Sequence, residues 1–182
     1  MKTLLTVILI LVTLVFTNCK KSSDNTPPPA AFTIGQSYQG GIIAYIDGTG
    51  IHGLIAAPSD QSTGIQWYNG TNTTTGATDV NIYRGISNTN TIVANQGSGS
   101  YAAKLCDDLV LGGYSDWYLP SKNELLQLWV NRVVVGGFAN GTYWSSTEYD
   151  LNNAWYMDFY TVGVQYANIK SLTYHVRAVR YF

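Results

Sequence analysis

Gly112-Gly113-Tyr114-Ser115-Asp116-Trp117-Tyr118-Leu119-Pro120-Ser121 leads through Glu124, Leu125 and Leu128 to Tyr143-Trp144-Ser145-Ser146-Thr147-Glu148. The chain then passes Ala154-Trp155 and closes on Val176-Arg177-Ala178-Val179-Arg180. Ser121 and Glu124 have the spacing of a capping box, in which each side chain satisfies a first-turn backbone N–H of a helix. Pro120 keeps Leu119 extended. Leu125, Leu128 and Trp129 supply a buried stripe, and Gly136-Gly137 ends the helical stretch. Strands are expected at Tyr143–Thr147, Ala154–Phe159, Gly163–Ala167 and His175–Arg180. Alternation in the second of these puts Trp155, Met157 and Phe159 on one face and Tyr156 and Asp158 on the other.

Working toward the N-terminus, a helix is expected from about Ser100 to Leu109. Ala102, Leu105, Cys106 and Leu109 face inward, and Lys104, Asp107 and Asp108 face outward. The stretch from Asn69 to Gly99 is rich in Thr, Asn, Gly and Ser. It reads as long loops, with one short helix at Asn90–Gln96. Earlier still, Gly40–Ile46 and Ile51–Ala57 flank Asp47-Gly48-Thr49-Gly50, where Asp-Gly supplies the positive φ of a hairpin turn. Pro58 stops the second strand, and Ser59–Gly64 reads as a loop. Hairpin, loops, two helices and an antiparallel meander make an α+β domain, its helices on the sheets and its terminal strands together.

Residues 4–16 are almost wholly apolar but shorter than the roughly 20 residues a spanning helix needs. They read as the core of a secretory signal over residues 1–18. Cys19 follows at once, so a lipidated Cys19 and a flexible linker over residues 19–31 are expected, with a plain secretion signal or an uncleaved anchor as alternatives. Phe16 and Asn18 are larger than the residues that usually stand before a lipidated cysteine. Lys20 to Pro29 carries too few apolar side chains to fold and is stiffened by Pro27-Pro28-Pro29. The expected location is the bacterial cell envelope, as an outer-membrane lipoprotein that is surface-exposed or periplasm-facing, with the membrane as partner through the N-terminal lipid. Residues 32–182 remain for one domain with a single core.

Charged residues make up only 12% of the chain, with ten Lys and Arg against eleven Asp and Glu. No basic cluster is present, so nucleic acid is not an expected partner. With Cys19 carrying lipid, Cys106 has no disulfide partner and reads as a buried thiol. His52 and His175 lack zinc spacing. Asp60, Asp79, Asp107, Asp108 and Asp150 lack the spacing of a calcium loop. No metal, cofactor or catalytic residue is therefore expected, and the chain reads as no enzyme.

Gly40-Gly41-Ile42-Ile43-Ala44-Tyr45, Gly53–Ala57, Trp67, Gly112–Pro120 and Tyr143–Glu148 resemble the Lcl C-terminal domain family, from about Ile34 to the last residue. That family includes the end domain of a bacterial collagen-like adhesin and many surface lipoproteins. The resemblance implies a C-type-lectin-like fold and an adhesin-like role. No Gly-X-Y run is present, so trimerisation through a collagen helix is not implied. The calcium-binding triplets of sugar-binding lectins of this fold are missing, as is the cysteine pair of its formylglycine-generating enzymes.

Trp144 and Trp155 are assigned to the core, while Arg177 and Arg180 are expected to pair with Asp116 or Glu148. The candidate ligand-binding residues are Tyr149, Asp150, Asn152, Asn153, Tyr156, Asp158, Tyr160, Tyr166 and Asn168. Tyr offers rigid area with a hydroxyl, and Asn both donates and accepts. The expected function is non-catalytic binding of glycan or protein. Alternatives are a structural subunit of an envelope assembly, or an enzyme acting on polysaccharide through Asp150 with Asp158 or Glu148 with Asp116.

Overall fold

The computed structural model describes residues 31–160 and 162–182. The expected signal, the lipidated Cys19 and nearly all of the linker lie outside the described residues. Two sheets and a few short helices form an α+β domain. The first sheet has the order β1-β2-β3-β9, with β1 at Ser37–Tyr38, β2 at Gly41–Ile46, β3 at Gly53–Ala56 and β9 at Val179–Tyr181. The second has the order β4-β8-β5-β6-β7. Its strands are β4 at Ser62–Gln66, β5 at Thr142–Glu148, β6 at Asn153–Asp158, β7 at Gln165–Ile169 and β8 at Thr173–Val176.

The β2–β3 hairpin forms as expected, but the positive φ of its turn falls at Gly50, at 76°, and not at the Gly48 of the Asp-Gly pair. Asp47 N donates to His52 O at 2.9 Å, and the Asp47 carboxylate accepts from Thr49 N at 2.9 Å. A register shift between Ile43 and Tyr45 gives β2 one extra residue opposite β3. Gly53 is required where the strands approach, because a Cβ there would lie 1.9 Å from Tyr45 O.

The C-terminal strand expected at His175–Arg180 is two strands in different sheets. β8 pairs with β4 and β5, and β9 pairs with β3. Arg177 and Ala178 hand the chain across. Arg177 is fully buried and donates to Asp60 Oδ1 at 2.8 Å, to Ala57 O at 3.0 Å and to Gly137 O. The second sheet is not wholly antiparallel either, since β5 runs parallel to β8 with Tyr143 opposite His175. The change of sheet has a local cause: a dense hydrogen-bond hub at Arg177 turns the chain where strand alternation alone would continue it. β7 also runs two residues later than the expected Gly163–Ala167, and Ser62–Gln66, half of it read as loop, is strand β4.

Four helical elements lie between the strands: α1 at Gly85–Gln96, α2 at Ala102–Asp107, α3 at Lys122–Val130 and the single turn α4 at Arg132–Val135. The longest, α1, was foreseen only in its second half. Its inner face holds Asn88, Thr89 and Gln96 beside Ile92, so hydrophobic periodicity hardly marks it. Helix α3 carries the expected capping box, with Glu124 N donating to Ser121 Oγ at 3.2 Å and Ser121 N to Glu124 Oε2 at 2.7 Å.

The core divides into two clusters. Ile43, Ile55, Trp67, Tyr101, Cys106, Trp117 and Trp144 belong to one. Ala44, Ala56, Tyr118, Leu125, Leu128, Tyr143, Met157 and Phe159 belong to the other. Neighbours on a strand, such as Tyr143 and Trp144, serve opposite clusters, so the second sheet is covered on both faces. Cys106 is buried as expected, and burial pushes its thiol well above the usual range. Trp155 departs from the expected core role. It is half-buried, with the Lys122 ammonium 3.3 Å from its ring centroid and the edge of Tyr149 against it.

Glu124 has a second task. Fully buried, it also accepts from Tyr83 N at 2.7 Å and from the Tyr118 hydroxyl at 3.2 Å. Gly85 lets it approach, since a Cβ there would lie 2.2 Å from Glu124 Oε2. Burial pushes its carboxyl up to about 7, against the pull of those hydrogen bonds. The folded state thus holds this proton more tightly than the unfolded chain, so the stabilising contribution is full below pH 4.5 and is lost as pH rises through about 7. Asp116 and Asp150 act oppositely, because the Arg180 guanidinium and the Asn153 amide hold them below the usual range. Urea unfolding at a series of pH values is therefore expected to show stability falling from about pH 5 to about pH 7. Glu124→Gln is expected to be less stable at every pH and to lose that slope; an unchanged slope would assign the titration to another group.

Candidate functional site

A buried ion pair organises the loops at one end of the second sheet. Lys170 Nζ lies 2.6 Å from Glu148 Oε1, with both side chains essentially inaccessible. The ammonium also donates to Leu151 O at 2.9 Å and to Thr73 O at 3.1 Å, and it lies over the Trp67 ring. The carboxylate accepts from Thr75 N at 2.9 Å and from Gly76 N at 2.8 Å. One charge pair thereby fixes the loop before α1, the β5–β6 turn and the end of β7. All three donors of the ammonium are used, as burial of a charge demands.

Over this pair opens a cleft of about 380 Å³ lined by Tyr68, Asn72, Asn152, Asn153, Ile169, Lys170 and Ser171. Asn72 Nδ2 donates to Asn152 Oδ1 at 3.0 Å across it. Tyr149, Asp150 and Asn152 are exposed in the same turn. Asp150 is occupied structurally: its Oδ1 accepts from the backbone N–H groups of Asn152 and Asn153, both at 2.8 Å, and from Asn153 Nδ2 at 2.9 Å. Asp150 and Asn153 thus shape the turn, whereas Tyr149 and the outer edge of Asn152 face solvent.

A second group forms a row of rings across the sheet. Register places Trp144 opposite Tyr156 and Tyr156 opposite Tyr166. Ring centroids lie 6.1 Å apart for Tyr166 and Tyr156, 5.0 Å for Tyr156 and Tyr174, and 4.4 Å for Tyr174 and Trp144. The row runs from buried Trp144 through half-buried Tyr174 and Tyr156 to Tyr166, which is 53% exposed. Asn168, on the face of Tyr166, donates from Nδ2 to the Tyr174 hydroxyl at 3.0 Å. Sequence reasoning missed Tyr174, Tyr68 and Asn72, which come from other parts of the chain and join the candidates only through sheet order and the ion pair.

The candidate residues therefore do not form one surface. Tyr149, Asp150, Asn152 and Asn153 gather at the turn, and Tyr156, Tyr166 and Asn168 share the ring row. Asp158 and Tyr160 stand at the far end of β6, where Asp158 Oδ1 accepts from Tyr160 N at 2.7 Å. The length of β6 separates Asp158 from Asn153, to which Asp150 is bonded, by about 17 Å. A glycosidase pair lies within about 9.5 Å. Asp116 is bound to Arg180 through two bonds of 2.7 and 2.8 Å, and Glu148 to Lys170. Of the pairings expected for the two arginines, Arg180 takes Asp116, whereas Arg177 takes Asp60. Among the described residues no group of three or more His, Cys, Asp and Glu is placed to hold a metal ion.

This geometry defines a two-sheet α+β domain whose aromatic and amide side chains are held outward by a polar scaffold. The chain belongs to the Lcl C-terminal domain family, whose model matches residues 57–180. Strands β1, β2 and β3 all precede the matched segment, yet β3 pairs with β9 and completes its sheet. No curated protein is a significant match to the chain. Among solved structures, the chain is similar to a fimbrial protein from Bacteroides ovatus ATCC 8483, at 18% identity and a TM-score of 0.48 over 70% of this chain. The match covers 35% of that protein.

Removing the ammonium while leaving the acid should expose the cost of an uncompensated buried charge. Lys170→Met is expected to lower unfolding free energy by about 3–5 kcal/mol. Adding Glu148→Gln is expected to restore about half of that loss. Equilibrium urea unfolding of the two variants checks both.

Proposed function

We propose that this protein is a non-catalytic binding domain of the bacterial cell envelope, displayed on the surface or facing the periplasm, with a C-type-lectin-like fold. A lipid on Cys19 anchors it to the outer membrane, and the Pro-rich linker holds the domain away from the bilayer. Membership of the Lcl C-terminal domain family supports the envelope setting. The lectin-like reading is supported by the joining of β3 and β9 in one sheet and by the contact of Phe32 with Phe182, whose ring centroids lie 4.8 Å apart.

The ligand is a glycan or a protein, and the observation that carries this reading is the ring row of Tyr166, Tyr156 and Tyr174 beside the Asn168 amide. A sugar ring presents C–H groups to an aromatic face and hydroxyls to an amide. Tyr166 gives exposed area, while Tyr156 and Tyr174 are fixed by the rings behind them and lose little side-chain freedom on binding. Tyr149, Asn152, Tyr68 and Asn72 extend the reading to the neighbouring cleft. A role without chemistry is supported by the pairing of Asp116 and Glu148 with cations of their own and by the wide separation of Asp150 and Asp158. A structural subunit packing the same row against a partner protein is the second reading, favoured by the open outer edge of β7.

A glycan array on the full chain tests the two. Saturable sugar binding is expected, and Tyr166→Ala is expected to weaken it about tenfold, as truncation of an aromatic anchor does, with no change in melting temperature. An array without signal, together with a partner cross-linked through β7, would replace the first reading with the second.

A further inference from the structure

A separate cavity of about 400 Å³ opens beside the β2–β3 turn, lined by Asp47, His52, Tyr83, Ile86, Tyr181 and Phe182. Its volume falls in the range of small-molecule sites. Three of its six lining residues are aromatic rings and one is aliphatic. Tyr83 and Tyr181 meet edge to face, with centroids 6.3 Å apart. The one acidic side chain is Asp47. Its Oδ1 is taken by Thr49, and its Oδ2 accepts no hydrogen bond from any described residue.

Tyr83 is held in an unfavourable conformation. Its φ is 66°, a left-handed value that bulky residues rarely adopt. Glu124 maintains it by accepting from Tyr83 N at 2.7 Å. The hydroxyl is buried beside the Asp47 carboxylate, which with burial pushes it above the usual tyrosine range, and no group stands at full hydrogen-bond geometry to it. Strain of this kind, sustained by a buried acid, gathers at binding sites. The cavity differs from the rings that carry a cation of the protein itself. Trp155, Trp129, Trp67, Phe138, Tyr114 and Trp117 each carry a Lys or Arg of the protein over the ring. The rings of Tyr83, Tyr181 and Phe182 carry none, and no Lys or Arg lines the space they enclose.

Aromatic faces around a carboxylate, with no Lys or Arg of the protein among them and His52 as the one basic side chain, attract an external cation. We propose that this cavity binds a small organic ammonium group, seated against the Tyr83 and Tyr181 rings and neutralised by Asp47. The rings exclude water from the alkyl substituents, and the carboxylate supplies the charge. The site is distinct from the ring row and does not depend on what that row binds.

Titration of the full chain in a non-ionic detergent with choline and with its uncharged isostere 3,3-dimethylbutan-1-ol, followed by isothermal calorimetry, tests this. Choline is expected to saturate one site and the isostere to bind at least about tenfold more weakly. Asp47→Asn keeps an acceptor for Thr49, and Tyr181→Leu keeps an apolar wall; each is expected to cost about tenfold in choline affinity with unchanged circular dichroism. Tyr166→Ala is expected to leave choline binding intact, which separates this site from the glycan reading. A free ammonium compound and a phosphatidylcholine headgroup share this chemistry, and flotation with phosphatidylcholine vesicles tells them apart, either source upholding the site. Equal affinity for the isostere, unaltered binding in Asp47→Asn, or no saturation by about 50 mM choline would overturn the proposal.

Discussion

The Glu148–Lys170 pair holds together the loop before α1, the β5–β6 turn and the end of β7. Its two charges are sealed from water, and each is surrounded by further hydrogen bonds, to Thr73 O and Leu151 O on one side and from Thr75 and Gly76 N–H on the other. A buried ion pair adds little net stability over an apolar pair of the same shape, because desolvation offsets the Coulomb attraction. What it adds here is geometry. A loop rich in Thr, Asn and Gly has little hydrophobic surface to bury beyond Ala77, and fixed polar partners order the rest. The cleft over the pair, and the approach of Asn72 to Asn152, follow from that constraint.

The same logic recurs through the domain. Glu124 gathers Ser121, Tyr83 and Tyr118, and Arg177 gathers Asp60, Ala57 and Gly137. Asp60 in turn accepts from the Tyr143 hydroxyl at 2.7 Å and lies 3.1 Å from His175 Nδ1. Each hub sits where irregular backbone would otherwise leave polar groups unpaired. A chain with few charges thus keeps five of them, Glu124, Glu148, Lys170, Arg177 and Arg180, inside as crosslinks, and its exposed candidate residues are mainly tyrosine and asparagine.

Two surfaces result, with different chemistry. The ring row on the second sheet is open and graded from buried to exposed, suited to the flat face of an extended ligand. The cavity beside the β2–β3 turn is concave, aromatic and acidic, suited to a compact cation. They lie on different elements and are held by different hubs, the row by strand register and the cavity by Glu124 acting on Tyr83.

Local signals in the chain were enough for the Asp-Gly hairpin, the capping box at Ser121 and Glu124, the buried thiol of Cys106 and the burial of Trp144, because each depends on near neighbours or on side-chain size. They also carried the family, through motifs that keep their order along the chain. Helix α1 escaped because its inner face is built from Asn88, Thr89 and Gln96, and apolar periodicity cannot mark a face that buries amides and a hydroxyl. The switch of sheet at Arg177, the parallel β5–β8 pair, the partnership of Glu148 with Lys170, and the meeting of Tyr174 with Tyr156 and Tyr166 arose only in three dimensions. Each joins residues through sheet order or a buried charge, and neither is encoded at any fixed spacing along the sequence.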